Sequence, residues 1–440
     1  MKITLIEPAV MLNRHFHEKS IWMLQPLSLA RLAGLTPPDV EIEMADERVE
    51  PIDFDAPRDL VGISVKTYTA RRAYQIAAEF RRRGVRVILG GFHPTLLPEE
   101  AQQHADAVVV GEAELLWPAI VADARAGRLQ PLYRQDGTLP FRAVPTDRRP
   151  LAGKRYLPVT LVEITRGCPY RCSFCSVTQF FGGDFRSRPV AEVVAEIAAN
   201  PNPLYLFTDD NIAGDRRYAR ELLRALIPLK IRWVSQASLT VARDEELLDL
   251  LAASGCLGLL IGIESTSPEN LRQAGKGWNL AGAGYAEALG RLRARHIAVV
   301  GSFILGMDGD TSESLDALLD FALEQRFAAV LFNLLTPFPG TQLYADFVRA
   351  GRMRQPAWWV DDTFRYGFPS FEPRHMTAAA LAEKRMALYR RFYGPRSILG
   401  RSLDFQANMH DPWHVLAYLA LNLPAYMEEK RRLGLPLGKS

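Results

Sequence analysis

The sequence predicts an α/β protein built from two consecutive units: an open, doubly wound parallel sheet, then a partial barrel of six βα units, followed by a helical C-terminal region. Three observations predict it. Short apolar runs alternate with helix-periodic stretches through the first 115 residues, and again from residue 159 onward. A Pro- and Arg-rich stretch separates the two series. Three of the four cysteines then fall within eight residues, just past the first strand of the second series.

In the first unit, residues 1–133, strands are expected at Ile3–Glu7, Val40–Met44, Leu60–Val65, Val85–Leu89 and Ala107–Val110. Helical patterns lie between them at Leu27–Ala33, Ala70–Arg83 and Pro98–His104. Parallel strands joined by crossover helices make a Rossmann-like, flavodoxin-type sheet. Ligands of such sheets sit at the carboxyl ends of the strands, near the switch in strand order. Here that edge carries Pro8–Met23, Ser64–Thr69, Gly90-Gly91-Phe92-His93 and Gly111–Glu114. The paired glycines let a bulky ligand approach the backbone.

Residues 134–158 read as a linker. The second unit, 159–345, has expected strands at Val159–Ile164, Leu204–Phe207, Ile231–Ser235, Leu257–Ile263, Ala298–Leu305 and Ala329–Leu335. Helical patterns separate them at Pro189–Ala199, Arg216–Leu229, Asp244–Ser254, Leu280–Arg295 and Thr311–Glu324. Six βα units are three-quarters of an eight-fold barrel, whose catalytic groups gather at the C-terminal strand ends. Residues 346–440 form an aromatic-rich, then helical, cap, with a helix near Ala378–Tyr393.

The net charge of +3 over 440 residues gives no electrostatic footprint for nucleic acid. The N-terminus meets a charge and a proline too early for a signal peptide, and no apolar run is long enough to span a membrane. Four cysteines, three of them clustered, are not a disulfide framework. A reducing cytoplasm suits them.

The clustered cysteines stand in Thr165-Arg166-Gly167-Cys168-Pro169-Tyr170-Arg171-Cys172-Ser173-Phe174-Cys175. Three thiolates can hold three corners of a [4Fe–4S] cluster and leave the fourth iron open. A zinc site favours four ligands in paired modules, and no second pair exists. Cys256 stands alone at the start of a strand and reads as a small buried hydrophobe.

This motif, with residues 159–340, resembles the radical S-adenosylmethionine (SAM) superfamily, and residues 1–115 resemble the cobalamin-binding domain often fused to it. The resemblance implies that Cys168, Cys172 and Cys175 hold the cluster, and that SAM chelates the open iron and is cleaved to a 5′-deoxyadenosyl radical. It also implies SAM contacts at Phe174, at Asp209 and Asp210, at Gln236 and Ser238, at Glu264, and at Gly301 and Ser302. Thr208-Asp209-Asp210-Asn211 replaces the family's usual Gly-Gly-Glu. For each polar residue the alternative is a capping or barrel-rim role. Ser64, Gly90, Gly91, Gly111 and Glu112 match the positions that accommodate cobalamin. His15 and His17 lack the D-x-H-x-x-G context of a cobalt ligand, as in many fused members.

Three features keep two readings each. Arg166 either acts on the cluster or a substrate anion, or forms a surface salt bridge. Thr336–Thr341 either lines the substrate mouth or only ends the barrel. Trp358-Trp359, Tyr366, Phe368 and Phe371 form a substrate wall, a packed cap, or both.

The resemblance points to cobalamin-dependent methylation of an unactivated carbon in a small-molecule or lipid-like substrate. The rival enzyme reading is radical cyclisation, oxidation or rearrangement; the rival from another class is a corrinoid-binding redox sensor. The tRNA methylthiotransferases carry a second cluster on N-terminal cysteines, and residues 1–167 contain none. A flavodoxin or ferredoxin is the expected electron donor.

Overall fold

The computed structural model describes residues 1–12, 23–135, 137–138, 140–280 and 284–439. His15 and His17 lie outside the described residues. The first sheet has six parallel strands: β1 (Lys2–Glu7), β2 (Glu41–Asp46), β3 (Leu60–Ser64), β4 (Arg86–Gly90), β5 (Ala107–Val110) and β6 (Leu132–Arg134). Their order is β2-β1-β3-β4-β5-β6, so the switch point lies between β1 and β3. Every residue of Ala107–Val110 is buried, because helices cover both faces of the sheet. Alternate side chains feed two cores: Val61, Ile63, Val87 and Leu89 on one face, Leu5, Leu60, Ile88 and Val109 on the other.

The five expected strands are present, and β6 is a sixth. Three residues are too few for an alternation to register in sequence. The helices Phe92–Leu96 and Trp117–Arg125 were also not expected; each carries a proline in its first turns, where a proline is tolerated but masks the pattern. Residues 134–158 do not hang free. Asp147 N donates to Ala30 O at 2.9 Å, and the Tyr156 hydroxyl donates to Asp46 at 3.0 Å, which ties the segment along the edge of the first sheet.

The second sheet runs in sequence order through β7 (Thr160–Val162), β8 (Tyr205–Phe207), β9 (Trp233–Ala237), β10 (Cys256–Glu264), β11 (Ala298–Leu305) and β12 (Ala329–Leu334), all parallel. Val162, Phe207, Trp233, Ile261, Phe303 and Phe332 face the surrounding helices and form the core. Cys256 is buried among them, as expected. By strand alternation Gln236, Ser302 and Asn333 face the opposite side, into the barrel.

An open barrel leaves the edge of β12 unpaired, which invites wrong pairing. The helix Ala378–Phe392 and the residue after it close that edge with side chains one turn apart. Arg385 Nε donates to Phe332 O at 2.7 Å, and Phe332 N donates to the Tyr389 hydroxyl at 3.2 Å. Val330 N donates to the Tyr393 hydroxyl at 3.0 Å, and that hydroxyl donates to Val330 O at 2.7 Å.

The aromatic segment bridges the two units. Trp358, Trp359 and Phe364 enter the core of the first unit, while Phe371 packs with Ile304 and Phe347 at the barrel end. Gly438–Lys439 then pairs with Met11–Leu12. Among the described residues no helix is long and apolar enough to cross a membrane.

Candidate cofactor and substrate site

The cysteine loop leaves β7 and turns back through a short antiparallel pairing of Thr165–Arg166 with Arg186–Ser187. Gly167 has φ +83°, and a Cβ there would lie 1.9 Å from Asp184 O, so only glycine makes this turn. The loop is pinned from three sides. Ser173 N donates to Ala274 O at 3.1 Å, Leu343 N donates to Ser173 O at 3.0 Å, and Tyr170 stacks on Trp278 with ring centroids 3.7 Å apart.

Cys168, Cys172 and Cys175 are free and partly buried. Burial pushes all three thiols up, Cys172 to about 12. Such thiols ionise when they bind metal. A cubane places each of three thiolates on a separate iron, and three cysteines on one loop offer that donor set. The donor set fits the cluster. Asn211 Nδ2, 3.9 Å from Cys168 Sγ, adds a donor toward sulfur.

Two acidic groups and one cation sit beside the triad. Glu264 ends β10 at φ +64°, 6% exposed, where the register of β10 against β11 slips. Lys276 Nζ donates to its carboxylate at 2.7 Å and to Gly262 O at 2.8 Å. A Cβ on Gly262 would lie 2.2 Å from Glu264 Oε1, so that glycine makes room for the pair. The Lys276 charge also acts on Cys172 and Cys175. Lys276 was not expected from sequence; it lies on a loop twelve residues past Glu264, with no local pattern linking them.

Asp210 feels Cys168 and Cys175, accepts a backbone hydrogen bond from Gly167, and is raised to about 6 by burial. Asp209 behaves differently. It is 0% exposed, and its Oδ1 accepts from Ile164 N at 3.2 Å, from Thr165 N, and from Thr165 Oγ1 at 2.6 Å. Burial lifts it to about 7. It braces the start of the cysteine loop and caps no helix; Asp215 caps the one that follows.

Ser238 is buried and bonds Thr240 Oγ1 at 2.7 Å, while Gln236 is exposed inside the barrel. Ser302 Oγ accepts from Asn333 Nδ2 at 3.2 Å. Gly301 points to the helix-covered face, where a Cβ would meet Phe303 and Phe327 at 3.0 Å. Phe174 packs against the cluster of Ile304, Leu335 and Phe371.

At the carboxyl ends of the first sheet lies a cavity of about 330 Å³. Ser64, Gly90, Gly91, Gly111 and Glu112 all line it. Gly91 has φ +103°, and a Cβ there would lie 3.0 Å from Val65 O, so a bare backbone borders the cavity. The site fits a large flat cofactor on these counts, and no histidine is among its described lining residues.

The cavity reaches the second unit, since Glu163, Arg166, Phe180 and Thr208 also line it. An ion network joins the units there. Arg166, 8% exposed, contacts Glu112, Glu114 and Glu163; Arg31 contacts Glu163; and Arg186 contacts Glu112 at 2.9 Å. Burial raises the Glu163 carboxyl, but the charges of Arg31 and Arg166 outweigh it and hold the group below its ordinary value. The salt-bridge reading of Arg166 stands, though the network is buried and not on the surface.

A parallel sheet with a glycine-walled cavity thus faces a barrel with a three-thiolate loop. The chain belongs to the radical SAM superfamily, in its form with a B12 binding domain. The model of the Radical SAM superfamily matches residues 162–322, and that of the B12 binding domain residues 9–121. Bacteriochlorophyllide d C-12(1)-methyltransferase of Chlorobaculum tepidum is 33% identical over 86% of this chain and 84% of its own length. Bacteriochlorophyllide d C-8(2)-methyltransferase of the same organism is 32% identical over 76% and 78%. The solved structure of the radical S-adenosylmethionine methyltransferase TsrM from Kitasatospora setae, with cobalamin and a [4Fe–4S] cluster bound, has a similar fold: TM-score 0.61, 21% identity, 79% of this chain and 75% of that one. The chain is a radical SAM enzyme, and its cofactors are the [4Fe–4S] cluster, SAM and cobalamin.

Proposed function

We propose that the protein is a cobalamin-dependent C-methyltransferase acting on a flat conjugated macrocycle of the chlorophyllide type. The single observation that carries this reading is a pair of cavities each lined from both units, one walled by Gly90 and Gly91, the other by aromatic rings beside the cysteine loop. Similarity along most of the chain to two bacteriochlorophyllide d methyltransferases supports the substrate class.

In this reading Cys168, Cys172 and Cys175 hold the cluster. Bound there, the cluster supplies the electron that cleaves SAM, and the corrinoid carries the methyl group to be transferred. Asp210 and the Glu264–Lys276 pair supply acceptors and a donor for the methionine amine and carboxylate. Gln236, Ser238 and Ser302 offer hydrogen bonds to the ribose, and Phe174 an aromatic face. Asp209 and Gly301 act through positioning: one braces the loop, the other lets Phe303 and Phe327 pack. Ser64, Gly90, Gly91 and Gly111 border the corrinoid, while Glu112 holds the unit interface through Arg166 and Arg186. Tyr68, Phe338 and Trp358 exclude water from the substrate.

A flavodoxin- or ferredoxin-type protein delivers the electron, and the four unpaired thiols suit a reducing cytoplasm. The test is anaerobic incubation of the holoenzyme with methyl-deuterated SAM, a strong reductant and bacteriochlorophyllide d. A deuteromethylated macrocycle is expected, with S-adenosylhomocysteine and 5′-deoxyadenosine formed in equal amounts. Formation of 5′-deoxyadenosine alone, with an oxidised or cyclised product, contradicts methylation.

A further inference from the structure

A cavity of about 390 Å³ opens where both units and the C-terminal region meet. Its aromatic wall includes Tyr68 of the first unit and Trp358, Tyr366 and Phe368 of the C-terminal region. Glu264, Ser302 and Asn333 join it to the mouth of the barrel. Among its described lining residues the only cation is Arg385.

Arg385 is 5% exposed. Its Nε is committed to Phe332 O, and its Nη2 donates to Glu429 Oε2 at 2.6 Å. Its Nη1 is buried and has no hydrogen-bond partner among the described residues. A guanidinium offers five N–H donors, and buried donors are as a rule paired. The edge of β12 and Glu429 explain two of the three nitrogens, and the Tyr389 ring lies 4.9 Å from the guanidinium carbon, but among the described residues no acceptor meets the third nitrogen. Gly367, which also lines the cavity, adopts φ +85°, and a Cβ there would lie 3.6 Å from Nη1. That φ and Leu433 Cδ1, which a Cβ would approach to 2.6 Å, require glycine at this position.

We propose that Arg385 Nη1 anchors a carboxylate of the substrate, so that the cavity selects a flat, hydrophobic molecule bearing a free acid. The inference rests on the macrocycle reading above and deepens it. With Nη2 held by Glu429, the anchor takes one carboxylate oxygen through a charge-assisted hydrogen bond. The aromatic wall takes the ring, and the acid fixes which ring edge faces the barrel mouth. Arg385 is thereby a specificity-determining residue.

The test is an anaerobic absorbance titration of the holoenzyme with bacteriochlorophyllide d and with its methyl ester. The wild-type protein is expected to bind the acid about tenfold or more tighter than the ester. R385Q is expected to bind acid and ester with equal affinity and to scramble the methylated position. Equal binding of acid and ester by the wild-type protein overturns the anchor and leaves the macrocycle reading standing; this arm needs no variant to fold. Retention of the acid preference by R385Q also overturns it. Binding of neither ligand overturns the macrocycle reading, and the anchor with it.

Discussion

At the residue scale the account turns on a few buried charged groups. Lys276 links Glu264 to the thiolate loop, at 2.7 Å from the carboxylate and close enough for its charge to act on two cysteines. K276M is expected to reduce SAM cleavage by about a hundredfold or more, because truncation leaves Glu264 buried without its counter-charge. Single-turnover release of 5′-deoxyadenosine checks this, with iron content as the control. Asp209 gives a pH signature. Its folded-state pKa, about 7, lies above the ordinary 3.8, so the folded chain holds this proton more tightly than the unfolded chain. Its contribution to stability is fully present below about pH 4 and is lost as pH rises toward 7. D209N removes that term. Melting curves of the apoprotein are expected to show the wild type losing ground to D209N between pH 5 and 8; a constant gap contradicts the assignment. The cysteines were legible in sequence because their spacing is local. Lys276 and Arg385 were not, since each acquires its meaning from a partner brought close only by folding, Glu264 in one case and the Phe332 carbonyl in the other.

At the element scale two contacts hold the architecture. The interface network sets three arginines against three glutamates across the units. R166A leaves Glu112, Glu114 and Glu163 short of a counter-charge, and breaking such buried pairs costs about 3–5 kcal/mol. Chemical denaturation of the apoprotein measures it, and a loss below 1 kcal/mol contradicts a structural role for the network. The closure of β12 is the second contact. Y393F removes both bonds to Val330 and is expected to destabilise by about 1–3 kcal/mol per orphaned backbone group. Eleven of the twelve principal strands were legible, because hydrophobic period and turn residues declare them. Leu132–Arg134 escaped because it is short and lies on a sheet edge. The edge closure escaped because Arg385, Tyr389 and Tyr393 look like an ordinary helical stripe until the open strand lies beside them.

At the scale of the whole molecule, the first sheet and the barrel turn their carboxyl ends toward one another. The glycine-walled cavity and the aromatic cavity are each lined from both units, and the C-terminal region ties both units together through Trp358, Phe371 and Gly438–Lys439. Sequence pointed to both units and to the segment between them. The bridging role of the aromatic segment needed the structure, since a Trp-Trp pair reads alike whether it covers a barrel or plugs a neighbouring core. The central claim is that one chain carries two independent cofactor sites, a thiolate loop at 168–175 and a corrinoid cavity at the end of the first sheet. Iron, sulfide and cobalt should be counted in protein purified without air from cells supplied with cobalamin, for the wild type and for the triple variant C168A/C172A/C175A. The account predicts about four iron and one cobalt per wild-type chain, with iron lost and cobalt retained in the triple variant. Iron that survives the triple replacement, or a wild-type chain without cobalt, contradicts it.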